Sequence, residues 1–431
     1  MKKELKGCTV QELLELHRSA AETYERYRSM GLHLDMSRGK PSPEQLDLGE
    51  DVLRTVCSNE DCISPSGVDC RNYGEFWGLR ELRQLFSEIL NVPSEMILIG
   101  GNSSLTLMYD TLSRAMLSGM AHSERPWSKE EKIRFICPSP GYDRHYTICE
   151  ALGIEMISVP LTGDGPDMDL VEKIAASDAS VKGMWIIPTY SNPTGDIYSE
   201  KTLRRLAFMD AKAKDFTIMV DNAYPLHTLD GNFIEPVNFY EMLIEAGHPD
   251  RAVFFSSTSK ITFAAGGVSC IAMSDANMKI ALPYLKAQFI CKDKLNQLRH
   301  LRLFPDIDAV KDRMLLHASL LAPKFEVVDD VLSDHLLGYG IASWNHPKGG
   351  YFISLKVLDH TAQHVIRLCK EAGLVLTQAG AGFPYNQDPD DRYIRLAPSF
   401  PGIDELKTAA ELLSAAVLLA GTEKLISDRR Q

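Results

Sequence analysis

The chain has 431 residues, 45% hydrophobic and 24% charged, which is ordinary globular composition, excludes disorder and leaves room for two or three domains of about 150 residues. With 46 Lys+Arg against 58 Asp+Glu the net charge is −12, so no chain-wide positive field exists to attract nucleic acid or an anionic membrane.

The first predicted element is a helix, capped by Thr9 and Glu12, with Leu13, Leu14 and Leu16 opening its apolar face and Gly31 as its stop. A turn-rich stretch follows, Ser37-Arg38-Gly39-Lys40-Pro41. From about residue 75 short apolar runs read as buried strands: Met96–Gly100, Ile133–Cys137, Glu155–Val159, Gly183–Ile187, Thr217–Val220, Ala252–Phe255 and Val268–Met273. Helical patterns lie between most of them, at Gly78–Leu90, Leu105–Leu117, Tyr142–Leu152 and Ser199–Lys214. Strands alternating with helices predict an α/β fold with a mostly parallel sheet, whose ligands collect at the carboxyl ends of the strands. After about residue 310 strands at Tyr351–Val357, Gly373–Thr377 and Arg392–Leu396, with helices at Thr361–Ala372 and Ile403–Leu419, predict a smaller α+β domain.

Nine cysteines, odd in number and without a Cys-x-x-Cys pair, read as reduced thiols in a cytoplasmic protein and not as zinc ligands. Met1–Leu32 lacks the apolar core of a secretory signal, and no apolar run approaches the ~18 residues of a membrane span. No metal is expected, since His145, His227, His317 and His346 show no ligand spacing.

Four segments fall at predicted strand ends. Gly100-Gly101-Asn102-Ser103-Ser104 opens a helix, where backbone N–H groups and hydroxyls can hold an anion, or simply cap the helix. Ser191-Asn192-Pro193-Thr194-Gly195 is a turn that could present its Asn. Asp221-Asn222-Ala223-Tyr224 puts a carboxylate at a buried strand end, where it needs either a structural partner or a ligand. Ser256-Ser257-Thr258-Ser259-Lys260 ends on a lysine that is either exposed or, if sheltered, able to form a Schiff base. Taken in order, anion loop, Asn turn, Asp with Tyr three residues on, and Ser/Thr–Lys are the components that hold pyridoxal phosphate.

At these residues the chain resembles the fold-type I pyridoxal-phosphate aminotransferases, and within them the bacterial type Ic aspartate aminotransferases. The likeness runs from Ser37–Pro41 to Arg395-Leu396-Ala397-Pro398-Ser399-Phe400-Pro401 and includes Pro140-Gly141-Tyr142-Asp143-Arg144. It implies a large domain with a seven-stranded, mostly parallel sheet over residues 55–310. A small domain would be built from residues 1–54 and 311–431. It also implies roles. Lys260 carries the cofactor pyridoxal 5'-phosphate and moves the substrate Cα proton, Asp221 pairs with the pyridine nitrogen, and Tyr224 and Asn192 hydrogen-bond its phenolic oxygen. Tyr142 stacks on the ring, while Asn102, Ser103, Ser104, Ser257 and Ser259 surround the phosphate. Tyr73, heading a Tyr-x4-Gly-x3-Leu-Arg run, reaches the phosphate of a neighbouring subunit, which implies a homodimer with shared sites.

Arg395 is expected to clamp the substrate α-carboxylate, with Gly39 and Asn192 beside it and Arg38, Arg144, Lys294 or Arg299 as the cation for a side-chain carboxylate. The implied reaction is ping-pong transfer of the amino group of L-aspartate to 2-oxoglutarate, giving oxaloacetate and L-glutamate. Alanine or aromatic aminotransferase, β-lyase and amino-acid-sensing regulator remain the alternatives. One departure stands out: many family members carry a phosphate-binding Arg eight residues past the lysine, where this chain has Val268.

Overall fold

In the computed structural model, which describes residues 3–430, seven strands form one sheet. They are β1 Ile97–Ile99, β2 Arg134–Ser139, β3 Glu155–Pro160, β4 Val181–Ile186, β5 Thr217–Asn222, β6 Ala252–Ser257 and β7 Ser269–Met273. The spatial order is β1-β7-β6-β5-β4-β2-β3. Only β7 runs against its two neighbours; the other pairings are parallel. Near-complete burial of β2, β4, β5 and β6 explains why these strands read as continuous apolar runs and not as alternating ones.

The order reverses between β4 and β2, which makes a crevice at the strand carboxyl ends. Two helices begin there: α3 Ser104–Ser118 after β1, and α4 Asp143–Ala151 after β2. Gly100 joins β1 to α3 where a Cβ would meet Ser269 Oγ at 2.6 Å and Leu107 Cδ1 at 2.7 Å, so only glycine fits this turn.

A second core gathers both ends of the chain. Helix α1, Val10–Arg28, begins at the expected Thr9/Glu12 capping box and packs on α7, Ile403–Asp428. A three-stranded antiparallel sheet has the order β10-β9-β8, from β8 Ala342–Trp344, β9 Ile353–Val357 and β10 Tyr393–Leu396. The run expected as a strand at Gly373–Thr377 forms only a two-residue parallel pairing, Leu34↔Leu374 and Asp35↔Val375, which ties the N-terminal segment to this unit. The helix expected over Ser199–Lys214 ends at Phe208.

A 30-residue helix, α6 (Ile307–Leu336), joins the two cores. Val310 and Met314 pack into the first core and Phe325, Val328 and Val331 into the second. No helix among the described residues is long and apolar enough to cross a membrane.

Candidate active site

The crevice holds a cavity of about 580 Å³ lined by residues from both cores. Asp221, the penultimate residue of β5, is 3% exposed at its floor. Its Oδ2 meets His145 Nε2 on α4 at 3.0 Å, and that imidazole stacks on Trp185 of β4 with centroids 4.2 Å apart. Its Oδ1 is buried and has no hydrogen-bond partner among the described residues. A buried oxygen left bare is costly, so the site is built for a donor arriving from the cavity.

Lys260 faces the same cavity from the loop after β6. Burial, reinforced by the charge of Arg395, pulls its ammonium down to about 8. Its Nζ donates to the Gly39 carbonyl, so the N-terminal segment lies directly over the amine. Tyr224 and Asn192 line the walls at 4% exposure each. Burial, with Tyr142, Tyr351 and Asp221 nearby, pushes the Tyr224 phenol well up. Tyr142 is pushed up to about 12 by burial and by Asp221 and Asp143. Both phenols are therefore donors at neutral pH.

Part of the lining is hydroxyl-rich. Ser103 and Ser104 open α3, and Ser257 and Ser259 lie across from them. Ser257 Oγ is 3.2 Å from Ser259 Oγ, and Ser259 Oγ donates to the Asn102 carbonyl at 3.0 Å. Ser103 forms no side-chain cap, so the first N–H groups of α3 face this part, which suits an anion. Gly267 keeps this loop tight, since a Cβ there would meet Ser259 N at 2.9 Å.

Arg395 on β10 reaches in from the second core. Its guanidinium is held by long contacts to Asn192 Oδ1 (3.3 Å), Thr377 Oγ1 (3.3 Å) and the Ser37 carbonyl (3.4 Å). Its Nη1 also lies 3.5 Å from Asp143 Oδ1. Arg38 and Arg144 line the same cavity.

Four of the expected site residues stand apart, and Arg299 is one that does not line the cavity. Asn102 does not line the cavity, because its side-chain amide donates to the Ala265 carbonyl at 3.0 Å. Lys294 is 2% exposed and spends its ammonium on the carbonyls of Asn72 (2.6 Å) and Gly74 (3.0 Å). It therefore cannot supply the cation of this cavity and instead braces the loop on both sides of Tyr73. Tyr73 itself is 76% exposed on the outer surface.

Val268 is 2% exposed and its N–H donates to Thr258 Oγ1, so it takes a core position and adds no cation to the hydroxyl-rich part of the cavity. Of the histidines read from spacing as having no role, His145 contacts Asp221, while His317 and His227 are buried behind the lysine loop. His145 was findable only once α4 was known to start at Asp143 and to turn its third residue toward β5. Asp143, named above only within a motif, gains its place beside Arg395 from the fold, and Phe352, which also lines the cavity, carries no local sequence signal.

The residues present fit pyridoxal phosphate. A bare carboxylate oxygen suits a pyridine N–H, a depressed lysine amine suits an aldehyde, and a hydroxyl-lined helix start suits a phosphate.

Comparison with known proteins places the chain among relatives of one family. The family model described as aspartate amino-transferase matches residues 8–429. An aspartate aminotransferase of Corynebacterium glutamicum is 44% identical over 407 residues, covering 94% of each chain. The crystal structure of an aspartate transaminase from the same species superposes with a TM-score of 0.96 at 42% identity, covering 99% of this chain and all of that one. The fold is shared more distantly with a Thermus thermophilus α-aminoadipate aminotransferase bearing a phosphopyridoxyl-leucine (TM-score 0.73, 19% identity, 93% and 95% covered).

Proposed function

The chain belongs to the aspartate aminotransferase family, whose members are pyridoxal-phosphate-dependent aminotransferases, and from that membership we propose that it moves the amino group of L-aspartate to 2-oxoglutarate. The observation that carries this reading is one cavity holding the bare Asp221 Oδ1, the depressed Lys260 amine and the Arg395 guanidinium.

When bound, pyridoxal phosphate supplies an aldehyde carbon for the amino group and a ring that takes up the electron pair released at Cα. Asp221 Oδ1 would accept the ring N–H and keep that nitrogen protonated. Tyr224, Asn192 and Tyr142 would hold and cover the ring, and Ser103, Ser104, Ser257 and Ser259 would hold the phosphate. Lys260 Nζ would hold the cofactor at rest and, once freed, would be the base that holds and moves the substrate Cα proton. Being close to neutral pH in its titration, this amine can hold and give up a proton without a large barrier.

Arg395 receives the α-carboxylate in a two-pronged contact for which its planar fork is suited. Arg38 and Arg144, which line the same cavity, are the cations available for the side-chain carboxylate. A monocarboxylic substrate would leave this second cationic patch unpaired, which favours dicarboxylates over alanine or aromatic donors. Because amino donor and oxo-acid acceptor need the same Lys260 and Arg395, they occupy the site in turn, which is ping-pong order. The exposed Tyr73, braced by Lys294, supports a homodimer in which Tyr73 completes the site of the neighbouring subunit. Nine unpaired cysteines support a reducing, cytoplasmic setting.

The test is a single half-reaction, followed by absorbance, with aspartate, glutamate, alanine, phenylalanine and cysteine. Aspartate and glutamate should convert the loaded protein to its pyridoxamine form faster than the others. Failure with both dicarboxylates would overturn the substrate assignment.

A further inference from the structure

Behind the lysine loop lies a buried polar chain that the reaction as described does not use. Gln45, His317 and Tyr351 are each 1% exposed. Gln45 belongs to α2, a short helix at Pro43–Asp47 in the N-terminal segment, and forms a capping box with Ser42. In that box Gln45 Oε1 accepts the Ser42 N–H at 3.2 Å, which fixes the orientation of the side-chain amide. Its Nε2 can then only donate, and it has two targets: His317 Nδ1 at 3.1 Å and the Tyr351 hydroxyl at 3.1 Å.

The tautomer of His317 follows. Nδ1 faces a donor and must accept, so the proton sits on Nε2, which donates to the Ile261 carbonyl at 3.0 Å. Burial holds His317 down to about 4, in keeping with a neutral ring. The Tyr351 hydroxyl, accepting from Gln45, turns its own hydrogen to the Lys260 carbonyl at 3.5 Å. Two consecutive carbonyls, 260 and 261, are thus gripped from one amide. Gly39, six residues before Gln45, receives the Lys260 amine.

We propose that Gln45, His317 and Tyr351 form a positioning relay that fixes the Lys260–Ile261 backbone and so sets where the lysine amine stands in the cavity. The proposal rests on Lys260 being the residue that carries the cofactor. None of the three lines the cavity, and the Tyr351 ring backs the lysine amine at 5.0 Å from its centroid, so they are positioning residues. A relay of this kind matters because a misplacement of the amine by about 1 Å lowers proton-transfer rates by up to roughly 100-fold.

The decisive comparison is His317→Gln against His317→Asn in the pyridoxal-phosphate-loaded protein. Glutamine keeps a donor near the position of Nε2 and retains the bond to Ile261, whereas asparagine keeps only the arm toward Gln45. Two quantities are read: the pH midpoint of the visible cofactor band, and the rate and half-saturation of the aspartate half-reaction. His317→Asn and Gln45→Leu should move the band midpoint by about 0.5 pH unit or more. They should also slow the half-reaction about tenfold, with half-saturation unchanged within about twofold. His317→Gln should restore both quantities.

Equal behaviour of the Gln and Asn variants overturns the relay, and that comparison alone decides the matter if Gln45→Leu yields no folded chain. Lys260→Ala separates the two levels of the argument. A visible band that survives in Lys260→Ala defeats the site assignment itself. A band lost in Lys260→Ala, together with an unmoved midpoint in His317→Asn, defeats only the relay.

Discussion

His145 Nε2 lies 3.0 Å from Asp221 Oδ2, and the opposite oxygen of that carboxylate has no partner among the described residues. One oxygen is thus tied to the protein, and in the proposed reaction the other is the acceptor for the ring N–H. Stacking on Trp185 holds the imidazole edge against the carboxylate, so the Asp221 orientation is fixed before any ligand arrives.

Removing that brace should weaken the electron sink without emptying the site. For His145→Leu the half-reaction rate is expected to fall by about 10- to 100-fold, the range of a lost hydrogen bond to a charged group. His145→Gln, which keeps an N–H donor, should recover most of the loss. Stopped-flow absorbance with aspartate measures both, and an unimpaired Leu variant would show that Asp221 needs no brace.

Lys260 gives a prediction with a definite sign. Burial, with Arg395 next, lowers its ammonium from 10.5 to about 8. The folded chain therefore binds fewer protons than the unfolded chain between about pH 8 and 10.5. The destabilisation is complete below pH 8 and fades as pH rises toward 10.5. Lys260→Met should stabilise the cofactor-free protein at pH 7 by up to about 3 kcal/mol, and by progressively less toward pH 10. Urea unfolding at the two pH values checks this. In parallel, the rate of cofactor loading should rise with pH through a midpoint near 8.

Much of this site could be read before the fold was known, and the parts that could not have a common cause. Lys260, Asp221, Tyr224 and Asn192 follow strands whose burial makes them visible as apolar runs, and each sits within a short turn sequence. His145, His317 and Gln45 are brought to the site by packing between elements distant in sequence, with 76, 56 and 272 residues separating the bonded pairs His145–Asp221, His317–Ile261 and Gln45–His317. No local pattern encodes such contacts. Lys294 fails as a substrate ligand for a related reason, because spacing from Lys260 says nothing of which way the start of the helix Lys294–Leu303 points. The parallel pairing of Leu34–Asp35 with Leu374–Val375 joins segments 340 residues apart and was equally hidden.

Gly39 is expected to tolerate no side chain. A Cβ there would stand 2.7 Å from Phe352 Cε1, and Phe352 is itself 6% exposed, so the ring has little room to yield. Displacing the segment would also take the Gly39 carbonyl from the Lys260 amine. Gly39→Ala should destabilise the protein by about 1–3 kcal/mol. It should also slow the half-reaction about tenfold. Gly7→Ala, where a Cβ meets nothing within 4 Å, serves as the matched control and should change neither.

In the proposed reaction Asp143 competes with the substrate carboxylate for Arg395. Its Oδ1 lies 3.5 Å from Arg395 Nη1, and with 32% of its side chain exposed it is free to swing away when a carboxylate enters. Every substrate must displace this contact, which for a partly exposed pair is worth about 0.2–1 kcal/mol. Asp143→Asn should therefore lower the KM for both aspartate and 2-oxoglutarate by about 1.5- to 5-fold, and the gain should shrink as salt screens the pair. Arg395→Lys should act the other way. It replaces a two-pronged contact with a point charge and should raise both KM values by about 10-fold or more. Steady-state kinetics at low and high ionic strength distinguish the two effects. An Asp143→Asn protein whose KM rises would mean that the aspartate orients Arg395 for the substrate and does not compete with it.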